Sequence, residues 1–200
     1  GCPLTGWVSA ELTPAQRILG GRLGHLTDDL AVEDSLFQGT ASSDSPTYSM
    51  AGGIVGKITG YGAVSRCLSM AKVQVGEAAN GGKRSGGMII GHQSGGTASA
   101  TGNVAYSGSV THSVDLDTES TYTGSVGASG QAITGEDNLA NKDDILVYEP
   151  DDEEGVSLSD AEKVERGPKA DNATADALQK QETYEEIGWD FDEKWEMYTD

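Results

Sequence analysis

The side chains best suited to acid–base or metal chemistry in this sequence are its three histidines. His25 and His92 each come directly after the last glycine of a similar glycine-rich stretch, where a third such stretch has Lys57. A position that takes either histidine or lysine is typical of a polar side chain that faces outward. His112 is the third histidine, and the motifs HExxH, GxSxG and the phosphate-binding GxxxxGK are absent from the sequence. The histidines therefore favour a structural role, and no catalytic residue is predicted.

Neighbouring carboxylates are the second candidate for chemistry. Residues 151–154 are all acidic, and Asp190 and Asp192 alternate with aromatic residues. Pairs of carboxyl groups cleave glycosidic bonds, and carboxylate oxygens also bind calcium. Residues 151–154 are interpreted as a solvated acidic loop. Asp190 and Asp192 are expected to point outward and are the candidates for a weak surface calcium site, although no cofactor is otherwise expected.

Cys2 and Cys67 are the only cysteines. Two cysteines cannot complete a closed zinc site, but they could form one disulfide in an oxidising compartment. The favoured alternative is that Cys67 is a small buried residue of its repeat, in phase with Ser35. Cys2 is also a candidate for lipid attachment, because it lies close to the start of the sequence.

A glycine-rich motif that positions these groups occurs three times in the first half. Its final glycines are Gly24, Gly56 and Gly91, which lie 32 and then 35 residues apart. A period of this length indicates a stacked-repeat architecture. Each repeat has too few apolar residues to form a core alone. We therefore predict a mostly β protein with a β-solenoid or β-helix-like stack of roughly three coils.

Equivalent residues of the coils should lie one above the next. The apolar residues Leu23, Val55 and Ile90 precede the three final glycines and are predicted to stack. Short strands are predicted at residues 32–37, 64–69 and 97–100. Each should be followed by a small residue of the same column, namely Gly39, Ala71 and Gly102. The third copy is then expected to have a shorter turn.

The sequence divides into two parts of different charge. Residues 1–134 are predicted to form the repeat domain, with repeats near 20–51, 52–85 and 86–130. Residues 131–200 hold 22 acidic and 6 basic residues, out of a net charge of −19 for the chain. Such acidity disfavours nucleic-acid binding.

Residues 135–200 are predicted to be an acidic C-terminal segment that packs on the stack. Short helices are expected at 157–164 and 173–181, and an edge strand at 143–148. An aromatic docking strand is expected to contain Trp189, Phe191 and Trp195. These rings need a surface to bury against, and the flank or end of the stack is the simplest one. No apolar run is long enough for a transmembrane segment.

Two parts of the sequence resemble a known family. The Gly-Gly-Ile-Val-Gly turn at residues 52–56, the strand ending near a cysteine at 64–68 and the small-residue strand after it are similar to the GLUG motif. Residues 174–184, followed by Gly-Trp-Asp-Phe at 188–191 and by Trp195, are similar to a segment that often follows such repeats. This resemblance implies a β-rich repeat protein outside the bacterial cell, as in adhesins and some secreted peptidases, and supplies no catalytic residue.

The expected function is therefore that of a non-enzymatic extracellular or cell-surface module for structure or adhesion. Its partner would be a host or matrix glycan or protein, or copies of itself. One alternative is a subunit of an extracellular filament assembled by strand or tail docking. A second is a carbohydrate-active enzyme on a β-helix, and a third is a spacer that holds another domain away from the cell.

Overall fold

The chain folds into a β-solenoid, as the glycine period predicts. The computed structural model describes residues 16–27, 29–45, 47–77, 82–114, 121–127, 133–159 and 169–197. The fold is mostly β-strand, with very little helix. The sheet that contains the first described strand has four strands, one from each successive turn, so its first and last strands are three turns apart.

Each of the first three turns contributes strands to the same four sheets, in the order A, B, C and D. The first turn contains β1 (Gln16–Gly20), β2 (Leu23–Thr27), β3 (Leu30–Glu33) and β4 (Leu36–Ser43). The second contains β5 (Tyr48–Gly52), β6 (Val55–Thr59), β7 (Gly62–Ser65) and β8 (Leu68–Val75). The third contains β9 (Arg84–Gly87), β10 (Ile90–Ser94), β11 (Ala98–Thr101), β12 (Val104–Ala105) and β13 (Gly108–His112), the last two both lying in sheet D.

The stack continues beyond residue 134, where the sequence placed a domain boundary. The strands of the fourth turn are β14 (Thr121–Gly124), β15 (Ile133–Glu136), β16 (Leu139–Ala140) and β17 (Ile145–Tyr148). They are followed by β18 (Val156–Ser157), β19 (Asp171–Asn172) and the helix α1 (Gln181–Glu185). β15, β16 and β17 pair in parallel with strands of the third turn, so the first residues of the acidic segment belong to the solenoid.

Leu23, Val55 and Ile90 stack as predicted. Leu23 is the register partner of Val55, and Val55 is the partner of Ile90. Both Val55 and Ile90 are fully buried and belong to one core cluster, against which Leu23 packs. Each thin apolar row is therefore covered by the row of the next turn, which is how a solenoid builds a core.

The glycine motif allows two sheets to approach closely. Gly24, Gly56 and Gly91 are all buried in sheet B. A Cβ at Gly91 would lie about 2.5 Å from the carbonyl oxygen of Ala51 in sheet A. On the other side of sheet A, a Cβ at Gly86 would lie 2.7 Å from a methyl group of Val110 in sheet D. Sheet A thus lies between sheets B and D, with small residues on both sides.

A corner interrupts the strands predicted at residues 32–37 and 64–69. Four stacked residues there have positive φ angles: Asp34 (48°), Arg66 (50°), Gly102 (64°) and Asp137 (53°). The N–H of each of the first three donates to a carbonyl of the turn above. The predicted single strands were therefore wrong, because the chain turns from sheet C into sheet D at this column.

The alignment of the third repeat also needs correction. Gly39 pairs with Ala71 as predicted, but Gly102 lies in the corner column, and Gly108 is the residue that contacts Ala71. The turn between sheets B and C is longer in the third coil, not shorter. Ala98 lies seven positions after Gly91, whereas its partner Gly62 lies six after Gly56.

The C-terminal segment packs against the flank of the solenoid, but not as the predicted helices and strand. The segment predicted as an edge strand contains β17, which pairs with β13 on one side and with β18 on the other. The helix predicted at 173–181 is replaced by turns at 175–179, and α1 starts only at Gln181. The hydroxyl groups of Thr183 and Tyr184 donate hydrogen bonds to the carbonyl oxygens of Ala177 and Leu178. In a continuous helix, these carbonyl oxygens would accept backbone N–H groups instead.

The remaining predictions for this segment are partly outside the described residues. Residues 156–157 form β18 and residues 158–159 a turn, while 160–168 are not described, so the helix predicted at 157–164 is not found where the chain is described. The residues around Trp189 and Phe191 contain turns and no described strand.

Candidate ligand-binding surface

Sheet B presents a column of basic side chains. His25, Lys57 and His92 are register partners on β2, β6 and β10. The side chains of His25 and Lys57 are half-buried, whereas His92 is only 4% exposed. The stacking that the shared repeat position implied is therefore present, although His92 faces a buried environment rather than solvent.

A row of hydroxyl groups runs beside this column. Thr27, Thr59 and Ser94 are register partners two residues further along the same strands. Nε2 of His25 lies 2.9 Å from Oγ1 of Thr59, which in turn lies 3.4 Å from Oγ of Ser94. Side-chain hydrogen bonds between His25, Thr59 and Ser94 thus link the three turns.

Exposed hydrophobic side chains lie at the corner where sheet B turns into sheet C. Tyr61 is 60% exposed and Leu30 is 54% exposed. They come from successive turns, since Leu30 pairs with Gly62 and the N–H of Asp29 donates to the carbonyl of Tyr61. We call this region the B–C surface; it comprises His25, Thr27, Leu30, Lys57, Thr59, Tyr61 and Ser94.

The corner beneath Tyr61 is built from glycine and one glutamine. Nε2 of Gln93 donates to the carbonyl oxygens of Gly95 (2.5 Å) and Gly96 (2.9 Å). Gly96 has a φ of 65°, and a Cβ there would lie 2.5 Å from the carbonyl oxygen of Gly60. A side chain at Gly96 would therefore clash with the backbone of the neighbouring turn.

At neutral pH, Lys57 is the charged residue of the basic column and the two histidines are uncharged. Burial, and then the charge of Lys57, lowers the pKa of His25 below its ordinary value. The same two causes, with a smaller contribution from Lys83, lower the pKa of His92 to about 4. Burial also lowers the pKa of Lys57. Both imidazoles are therefore neutral at pH 7.

The carboxylate of Asp190 accepts hydrogen bonds from the backbone of its own turn. Its Oδ1 accepts the backbone N–H groups of Asp192 (3.0 Å) and Glu193 (3.1 Å). Asp192 is exposed, as are the four residues 151–154. Within the part of the chain that the structure describes, no three His, Cys, Asp or Glu side chains are grouped to hold a metal ion. The calcium site stays a prediction.

The aromatic residues form a cluster on the flank of the solenoid. Trp189 packs against Trp195 with ring centroids 4.2 Å apart, and Phe191 lies 6.1 Å from the ring of Tyr184. Nε1 of Trp189 donates to the carbonyl oxygen of Gly102 at 2.7 Å. These rings cover an apolar column of sheet D and the residues next to it, including Leu68, Val104 and Leu139.

An ion cluster that the sequence did not predict joins this flank to the first turn. Nζ of Lys194 and Nε of Arg66 each lie 2.7 Å from a different carboxylate oxygen of Asp34. Burial alone would raise the pKa of Asp34, but the hydrogen bonds from Arg66 and Lys194 lower it below its ordinary value. Lys194 and Asp34 are 160 positions apart in the sequence, which gave no signal for this contact.

Cys67 lies at the corner between sheets C and D. Its side chain is fully buried, and its thiol donates to the carbonyl oxygen of Ser65 at 3.3 Å. Burial raises the pKa of this thiol to about 12, so it is not a reactive thiolate at neutral pH. It is in phase with Ser35, whose carbonyl accepts the N–H of Leu68. Cys67 is a free thiol in the structure, so the alternative in which it forms a disulfide with Cys2 is not found; Cys2 itself lies outside the described residues.

Comparison with known proteins yields no relative. No protein-family model, no curated protein and no solved structure matches this chain. None of the helices in the described part of the chain has the length and hydrophobicity needed to cross a membrane.

Sequence reasoning missed the most exposed part of the B–C surface. Tyr61 stands between two glycines, and its exposure depends on the shape of the corner rather than on any motif. The available signal was the stacking itself. Placing β2, β6 and β10 in register brings the His–Lys–His column beside the Thr–Thr–Ser row and leads both to the corner that holds Tyr61.

Proposed function

We propose that this protein is a non-enzymatic extracellular or cell-surface module that binds a saccharide on its B–C surface. The observation that carries the proposal is the combination of an exposed aromatic ring, Tyr61, with a row of hydroxyl and imidazole groups on a rigid stack. Aromatic rings offer an apolar face with a polar edge, and hydroxyl rows offer both donors and acceptors. Sugars present the complementary C–H faces and hydroxyl groups.

The form of the surface supports recognition of an extended chain. Neighbouring strands of a parallel sheet lie about 4.8 Å apart. The row Thr27–Thr59–Ser94 therefore repeats a hydroxyl group at this spacing over three turns. The resemblance to GLUG repeats supports a location outside the cell, and the use of the Asp190 carboxylate in a turn supports a non-enzymatic role.

The experiment is retention on immobilised polysaccharides, measured for the full chain and for Tyr61→Ala. We expect Tyr61→Ala to weaken retention by up to about tenfold, since an aromatic contact contributes roughly 0.5–1.5 kcal/mol. The thermal midpoint should change little, because the ring is mostly exposed.

The control is Tyr148→Ala, which removes a tyrosine from sheet D, away from the B–C surface. This variant should bind as the wild type does. Equal retention of the wild type and Tyr61→Ala would contradict the proposal, as would release of new reducing ends from the polysaccharide.

A further inference from the structure

Among the described residues of this strongly acidic protein, no carboxylate forms an ion pair with Lys57. The chain has a net charge of −19, and both Arg66 and Lys194 form ion pairs with acidic side chains. No ion pair joins Lys57 to any described residue, and burial is the cause of its lowered pKa. A half-buried ammonium group that lacks a counter-ion is costly unless something else supplies the negative charge.

A buried imidazole nitrogen without a partner lies beside this cation. His92 is the register partner of Lys57 on the adjacent strand, and its Nδ1 is buried with no hydrogen-bond partner in the structure. Buried polar atoms are nearly always hydrogen-bonded, so an orphaned one calls for an explanation. After burial, the charges of Lys57 and Lys83 are the further causes that lower the pKa of His92.

The groups around Lys57 can bind the rest of a sugar. Oγ1 of Thr59 lies two residues along the same strand, and the exposed ring of Tyr61 follows two residues later. Hydroxyl and aromatic groups recognise neutral parts of a saccharide, while an ammonium group recognises an anion.

The geometry points to a subsite for an acidic saccharide, in which Lys57 binds a carboxylate or sulfate group of the sugar next to the buried His92 ring. This inference rests on the proposed function, because it assigns the chemical class of the ligand on the same surface. The shared chemistry is an oxyanion carried by a sugar ring that stacks near Tyr61.

Matched pairs of probes test the inference. Binding of the full-length protein is measured with polygalacturonate against its methyl ester, and with dextran sulfate against dextran. We expect the acidic member of at least one pair to bind about tenfold more tightly than its neutral counterpart, in line with one charge-assisted hydrogen bond. The preference should fall as salt is added, because screening weakens exposed charge interactions.

Three variants locate the effect. Lys57→Gln should lose the preference for the acidic probe, and Lys57→Arg should keep it. The control Lys72→Gln removes the same charge from an equivalent stacked position on β8 in sheet D and should leave the preference unchanged. On binding of the acidic probe, the ¹⁵N resonance of His92 Nδ1 should shift in the wild type and not in Lys57→Gln.

The outcomes separate this inference from the proposed function. Equal binding of acidic and neutral saccharides, or an unchanged preference in Lys57→Gln, would overturn the acidic subsite and leave saccharide binding intact. Binding of inorganic sulfate without binding of either acidic polymer would overturn the subsite as one for sugars. If none of the four polymers is bound, the proposed function fails as well.

Discussion

His112 shows how a titratable residue can serve the core of this protein. It is the last residue of β13 and is almost completely buried. Its Nε2 lies 2.6 Å from Oγ1 of Thr123 on β14. Burial, and to a smaller extent the charge of Arg84, lowers the pKa of His112 to about 4. The folded protein therefore holds this imidazole neutral at pH values where an unfolded chain would protonate it.

Acid should destabilise the protein through its buried histidines. Because the pKa of His112 is about 4 when folded and 6.5 ordinarily, the unfolded chain binds one more proton within this interval. The free energy of unfolding should then fall by about 1.4 kcal/mol per pH unit for this residue as the pH decreases from 6.5 to 4.

The variant His112→Gln keeps a neutral donor and should remove that part of the slope. Denaturant unfolding at several pH values measures it, with His25→Gln as the half-buried control. A slope that is unchanged in His112→Gln would contradict the prediction.

Gly95 and Gly96 allow the energetic cost of a positive φ angle to be measured separately from the cost of a steric clash. Gly95 and Gly96 have almost the same positive φ, 66° and 65°. A Cβ at Gly95 would have its nearest neighbour 3.9 Å away, whereas at Gly96 it would lie 2.5 Å from the carbonyl oxygen of Gly60. Gly95→Ala should cost about 1–2 kcal/mol of unfolding free energy, and Gly96→Ala roughly 3–4 kcal/mol. Similar losses for both variants, measured by chemical denaturation, would show that the contact with Gly60 is relaxed at no cost.

At the scale of the elements, the corner between sheets C and D is held by asparagine side chains. Oδ1 of Asn103 accepts the N–H of Cys67 at 3.1 Å, and its Nδ2 donates to the carbonyl oxygen of Val64 and to Oδ1 of Asn138, both at 2.9 Å. Nδ2 of Asn138 donates to the carbonyl oxygen of Ala100. The positive-φ corner would otherwise leave these buried backbone groups unpaired.

Asn103→Ala should therefore be strongly destabilising. It leaves the N–H of Cys67 and the carbonyl of Val64 without their partner in a buried corner. We expect a loss of roughly 2–4 kcal/mol in the free energy of unfolding, since each unsatisfied buried group costs about 1–3 kcal/mol. Asn172→Ala is the control, because it removes one exposed hydrogen bond to the N–H of Lys142 and should cost less than about 1 kcal/mol. Comparable losses in the two variants would contradict a special role for the corner.

The sequence predicted the stack well and its corners poorly, for a physical reason. Spacing between glycines reports which residues share a column, so the pairing of Val55 with Leu23 and with Ile90 was predictable. The corner at Asp34 and Arg66 was not, because positive φ angles at these residues are stabilised by hydrogen bonds to the neighbouring turn, which the sequence does not reveal. Tyr61 was missed for a related reason, since its exposure depends on the corner that surrounds it.

The C-terminal segment illustrates the same limit. The aromatic residues of this segment predicted that it would bury against an apolar surface, and it packs on the flank of the solenoid. Their local conformation is set by tertiary hydrogen bonds, such as that from Trp189 to Gly102, and these override the helical and strand patterns of the sequence.

At the scale of the whole molecule, charge opposes end-to-end stacking of copies. β3 and β15 are the outer described strands of sheet C. If a second copy continued this sheet in register, Glu136 and Asp137 of one copy would lie against Glu33 and Asp34 of the next. Like charges placed opposite each other destabilise such pairing.

We therefore expect the protein to be monomeric at physiological salt, as measured by sedimentation velocity. The double variant Glu136→Lys/Asp137→Lys should self-associate more than the wild type, while Asp151→Lys/Asp152→Lys, which makes the same charge change in an exposed loop, should not. Filaments of the wild type at neutral pH would contradict this expectation and favour a structural subunit.

The C-terminal segment also has a mechanical consequence. It joins the fourth turn through β19, the third turn through Trp189 and the first turn through Lys194. A solenoid without such a connection can peel from either end, one layer at a time. Because the C-terminal segment contacts several turns at once, a pulling force is shared among these turns. We therefore expect the solenoid to unfold in one cooperative event under force, rather than one turn after another.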